Sequence, residues 1–206
     1  TLITPQGAAL LNSARDDGLF LFHADRAADI MRVLEFATVH KLSAVIHGGS
    51  EAWMVAKSLA NAEVPVILNP LENLPASFES LGARLDNAAI LHRAGVPIIF
   101  SSGETHNARK VRQLAGNAAA NGLPHSAALA AISSTPADVF GAEPRRVSEG
   151  TRADLVIWSG DPLEVTTQAQ QVILGGIPDA MVSRQTLLRD RYLDTNSAMP
   201  RAYINP

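Results

Sequence analysis

Four apolar runs in this 206-residue chain each stop at a polar side chain able to do chemistry. His23 follows Leu19-Phe20-Leu21-Phe22, and His47 follows Ala44-Val45-Ile46. Asn69 follows Val66-Ile67-Leu68, and Ser101-Ser102-Gly103-Glu104 follows Ile98-Ile99-Phe100. Imidazole, amide, hydroxyl and carboxylate groups carry protons and make hydrogen bonds. They act together only if the fold brings them to one place. A second polar cluster, Thr105-His106-Asn107-Ala108-Arg109, comes directly after the last run. There His106 and Arg109 could take a substrate carboxylate or carbonyl, the arginine through its two-pronged guanidinium. The same cluster also suits a helix start capped by Thr105 or Asn107.

The elements between these residues explain how they would meet. Each run is continuously apolar, as expected of a parallel strand covered on both faces. Helical patterns separate them: residues 26–40 place Ile30, Val33, Leu34 and Ala37 at helical spacing, and further helices are expected after Ser50, over 86–94 and up to Ala120. Asp25 reads as the cap of the first of these helices, or as a partner that orients His23. Gly48-Gly49-Ser50 reads as a tight turn, with Ser50 as N-cap or the turn as an anion cradle. A helix over 126–133 is expected to end near Pro136. Right-handed crossovers would make all four strands parallel and set their polar ends on one rim, where barrel and open α/β enzymes keep their active sites. Four such units make half of an eight-fold barrel or a small open sheet, and the spacing alone fits both.

After Gly141 the texture changes. Short strands at 154–158 and 171–174, joined by Ser159-Gly160-Asp161-Pro162 and Gly175-Gly176, read as a β appendage. The expected division is therefore a βα domain over 1–141, a β appendage over 142–193 and an irregular tail over 194–206.

Composition narrows the class. With 47% hydrophobic and 18% charged residues the chain has the makings of a globular core. A net charge of -3 without a basic block argues against nucleic acid. The absence of cysteine removes thiolate catalysis, disulfides and thiolate-bound zinc, and leaves the choice between cytoplasm and periplasm open. No apolar run approaches the ~20 residues that span a bilayer. The chain opens on Thr1, so an upstream segment is to be expected.

The stretch Gly150-Thr151-Arg152-Ala153-Asp154-Leu155-Val156-Ile157-Trp158, followed by Gly160-Asp161-Pro162-Leu163, resembles the C-terminal signature of the amidohydrolase superfamily. Gly122-Leu123-Pro124, Ala127-Ala128-Leu129 and Thr135-Pro136-Ala137 resemble the helical stretch after that family's last barrel strand, with the imidazolonepropionase-like branch the nearest in look. The resemblance implies an α/β fold: the C-terminal half of a (β/α)8 TIM-like barrel, strands five to eight, plus part of a β-sandwich. It implies a hydrolase that cleaves an amide or cyclic amide C–N bond of a small molecule with a metal-activated water. His23 then matches the strand-five metal ligand and His47 the strand-six ligand. Glu104 stands where the family has an aspartate that both binds metal and transfers protons. The His-x-His pair of strand one is absent from this chain. The divalent metal, zinc by expectation, thus belongs to the complete enzyme and is open to being unbound in this chain alone. A half-barrel calls for a partner, either the N-terminal half or a second copy. A non-catalytic scaffold and a small-molecule binding domain remain as alternatives.

Overall fold

The structure is a computed structural model and describes residues 4–72, 74–103, 105–143 and 146–193. Four strands form one parallel sheet in chain order: β1 (Leu19–Ala24), β2 (Ser43–Gly48), β3 (Val66–Leu68) and β4 (Ile98–Phe100). Before and between them run α1 (Pro5–Arg15), α2 (Ala27–His40), α3 (Ala56–Asn61) and α4 (Asn87–Ala94). Three more helices follow, α5 (Val111–Ala120), α6 (His125–Ala130) and α7 (Ser134–Phe140). The parallel strands expected from the apolar runs are present, and the fold is mixed α/β.

Alternation along the strands divides the sheet into two faces. Ala44, Ile46, Val66, Leu68, Ile98 and Phe100 join Ile30 and Leu34 of α2, Leu59 of α3, Leu91 of α4 and Leu114 of α5 in the main core. The intervening residues Val45, Ile67 and Ile99 form a second cluster on the opposite face, with Val139 of α7 against it. Register carries that second face across to β1, because Leu21 pairs with Val45 and His23 with His47. At β1 this face is uncovered: Leu19 and Leu21 are 38% and 55% exposed. Among the described residues β1 has a neighbour on one side only.

Pro136 does not end a helix. It lies in the first turn of α7, where a residue without an N–H breaks no helical hydrogen bond. Asp25 does not cap α2 either; the Ala27 N–H at that helix start donates to Glu51 Oε2 at 2.9 Å.

Contacts divide the chain into two compact units. The first runs up to Thr151 and takes back Gly160–Thr167. That returning segment has a physical reason to stay: Leu163 is buried in the main core, and Arg112 of α5 donates to the carbonyls of Pro162 at 2.7 Å and Thr167 at 3.2 Å. His125 Nε2 lies 2.9 and 2.8 Å from the two Asp161 oxygens. The Leu163 N–H, and after it His125, hold the Asp161 carboxyl below its usual range. A carboxyl depressed in the folded state contributes stability above its unfolded value of 3.8 and loses it as pH falls through the lower folded value. Urea midpoints of wild type and Asp161→Asn are therefore expected to differ at pH 6 and to converge as pH falls below about 4. A constant gap down to pH 2.5 would show that the charge of Asp161 adds nothing.

The second unit comprises Arg152–Ser159 and the residues from Gln168 onward. It holds an antiparallel sheet of β5 (Leu155–Trp158), β6 (Ala169–Leu174) and β7 (Ile177–Pro178), and then α8 (Arg184–Leu193). Asp154 accepts from the Gly175 N–H at 2.7 Å and faces Arg152 Nε at 3.1 Å, which fixes the glycine turn.

Candidate functional site

The register that pairs His23 with His47 puts both rings on the face of Val45, Ile67 and Ile99, at the C-terminal ends of β1 and β2. Their Nδ1 atoms lie 3.3 Å apart and their ring centroids 5.5 Å apart. His23 Nε2 is 3.4 Å from Asp25 Oδ2. A contact between two Nδ1 atoms needs a proton on one ring nitrogen and a lone pair on the other, so the two rings differ in protonation at Nδ1.

Asp25 is itself fixed. Its Oδ1 accepts from the Ser50 hydroxyl at 2.8 Å and the Ser50 N–H at 3.2 Å. The turn after His47 is fastened further by Gly49 N–H to Ala24 O, Glu51 N–H to Asp25 O, and Asn87 Nδ2 to Gly49 O, each between 2.8 and 2.9 Å. So Gly48-Gly49-Ser50 is a tight turn whose serine serves the carboxylate rather than a helix cap. Two positive φ angles, +106° at Gly48 and +71° at Gly49, make glycine the natural residue at both places.

Both histidines open onto a cavity of about 100 Å³, lined also by Asp25, Asn69, Glu72, Arg84, Asn87 and Ser101. Of the residues that the sequence singled out, the structure thus gathers His23, His47, Asn69 and Ser101. Glu104 lies outside the described residues. His106 and Arg109 lie on a 3-10 helix over Thr105–Lys110, both exposed, and do not line this cavity. Arg84 enters from the long connection between β3 and α4, and Asn87 from the first position of α4. They carry no strand-end signal, so sequence reasoning passed them by. Asn87 is 9% exposed, and its Oδ1 is buried without a partner among the described residues.

The histidine pair fits a metal in one measurable respect. Two nitrogens bound to a tetrahedral zinc at about 2.0–2.1 Å stand about 3.3–3.4 Å apart, and the Nδ1 atoms already have that spacing. The Asp25 carboxylate behind His23 is the kind of partner that orients a metal-binding imidazole. Among the described residues no group of three or more His, Asp or Glu completes a site.

Comparison with known proteins agrees with the α/β reading. A solved amidohydrolase from Thermotoga maritima MSB8 is 25% identical, with a TM-score of 0.77 over 86% of this chain and 48% of its own. A prolidase crystallised with N-methylphosphonate-L-proline shares the fold at 19% identity and a TM-score of 0.59, over 83% of this chain and 47% of its own. The curated protein Amidohydrolase tasK of Hapsidospora irregularis is 38% identical over 82 residues, which is 39% of this chain and 8% of that protein. The chain therefore spans under half the length of these relatives. The amidohydrolase family model matches residues 10–185, most of the sequence, and on that match the chain belongs to the amidohydrolase family.

Proposed function

We propose that this chain supplies strands five to eight of a (β/α)8 barrel in a metal-dependent hydrolase of C–N bonds, of the imidazolonepropionase-like branch. The observation that carries the reading is the His23–His47 pair, held 3.3 Å apart at the ends of neighbouring parallel strands. The chain-order sheet and the uncovered face at Leu19 and Leu21 support the half-barrel and its need for a covering partner, the N-terminal half or a second copy.

In the complete enzyme His23 and His47 hold the divalent metal, zinc in this reading. When bound, it lowers the pKa of its water and polarises the substrate carbonyl. Asp25 keeps the His23 lone pair aimed at the site, and the Ser50 turn keeps Asp25 in place. Glu104 is the proton carrier in this proposal, and His106 with Arg109 the outer substrate contacts. No helix among the described residues is long and apolar enough to cross a membrane.

One observation favours the alternative of a non-catalytic scaffold. The residues described directly after β4, Ser101, Ser102 and Gly103, carry no carboxylate, and Ser101 Oγ accepts from the Gly103 N–H at 3.2 Å, so a carboxylate in the Ser101-to-Glu104 stretch can come only from Glu104. Metal analysis and hydrolysis of N-acyl and cyclic amide substrates by the complete enzyme decide between them. Stoichiometric metal, with turnover abolished by a chelator and restored by zinc, is the expected result. Metal-free protein that stays inert after zinc addition would establish the scaffold.

A further inference from the structure

Arg84 is the one lysine or arginine among the described residues that line the histidine cavity. Its guanidinium carbon lies 4.5 Å from the Trp53 ring centroid, and the Trp53 Nε1–H donates to Gly82 O at 2.8 Å. Trp53 belongs to the 3-10 helix Ala52–Val55, just after the His47 turn. Arg84 is thus stacked on an aromatic platform that is itself tied down beside the site. Its Nε and Nη2 face the two oxygens of Asp86, the latter at 2.7 Å. This pair is open to water, with side-chain exposures of 41% and 39%. Exposed ion pairs contribute little, so exchanging Asp86 for another carboxylate costs little, while the stacking on Trp53 persists. An open, mainly apolar groove lined by Trp53, Leu74, Pro75 and Leu85 adjoins the cavity and shares Ala83, Arg84 and Leu85 with it.

From this juxtaposition we infer that Arg84 is a specificity residue: it selects substrates carrying a carboxylate, with an apolar substituent laid in the groove over Trp53. The inference deepens the proposed hydrolase reading by naming the substrate class, N-acyl amino acids with apolar side chains. A planar guanidinium offers a carboxylate two parallel N–H donors, which a neutral amide in the same place cannot match. Glu72 and Asp25, the carboxylates on the cavity wall, oppose any anion that is not gripped in this way.

The test is binding, so that it does not depend on turnover. N-acetyl-L-leucine and N-acetyl-L-leucinamide differ by one charge at nearly constant shape. Titration calorimetry of the complete enzyme is expected to give at least about tenfold tighter binding of the acid. Arg84→Gln is expected to erase that preference while leaving the amide within about twofold, and Arg84→Lys to keep part of it. Equal affinity for the two ligands in wild type, no binding of either, or an undiminished preference in Arg84→Gln would each overturn the inference. A loss of both ligands together would show Arg84 to be structural and overturn it as well. Hydrolysis is scored separately: acid-selective binding without turnover sinks the hydrolase reading and leaves the carboxylate subsite standing.

Discussion

His47→Ala in the complete enzyme is expected to lose metal and hydrolysis together. Removing a partner behind a metal-binding histidine typically costs 10–100-fold in affinity or activity. Removing a ligand should exceed that window, so a fall of more than about 100-fold is expected in both. Asp25→Ala should fall inside the window, because its carboxylate touches His23 rather than the site centre. The ordering is the informative part. If His47 were only a hydrogen-bonded strand end, Asp25→Ala would do the greater damage, since Asp25 also fastens Ser50. His47 is only half-buried and lines the open cavity, so its truncation should leave the thermal midpoint nearly unchanged. Metal content per chain after dialysis, read beside the rate on one N-acyl substrate, settles the matter. Retained metal and rate in His47→Ala would remove His47 from the ligand set.

The parts of the fold that could be read beforehand are those whose physics is local. Strands β2, β3 and β4 are continuous apolar runs, and α2 shows its buried stripe of Ile30, Leu34 and Ala37 in the spacing alone. The His23–His47 juxtaposition follows from two such runs ending alike. What escaped depends on contacts distant in sequence. Nothing in Gly160–Thr167 announces that Leu163 will be buried under α5 or that Arg112 will collect two of its carbonyls. Asp25 looked like a cap for the helix beside it, yet its acceptors serve Ser50, while Glu51 caps that helix from 24 residues away. Helix α8 buries no residue and so shows no apolar stripe to read. Arg84, and Asn87 at the start of α4, reach the cavity at the end of a long connection whose path the sequence does not encode in any short pattern.

Gly48→Ala is expected to be among the most destabilising single-methyl changes in the chain, at about 2–4 kcal/mol. Two costs combine. At φ +106° any side chain is strained, and the added Cβ would lie 2.8 Å from Asp25 Oδ1 and 3.2 Å from its Cγ. Asp25 is short and gripped by the Ser50 N–H and hydroxyl, so it cannot step aside without releasing them. Gly95→Ala separates the two costs. Its φ is +88°, and an added Cβ there meets nothing within 4 Å, so it reports backbone strain with no clash. Urea unfolding should therefore rank Gly48→Ala below Gly95→Ala in stability, the gap measuring the collision with Asp25. In the Asp25→Ala background that gap should shrink, because the colliding carboxylate is gone. Equal losses at Gly48 and Gly95 would mean that Asp25 yields freely. It could then not be the rigid support that the His23 ring needs, and the case for a preset histidine pair would weaken with it.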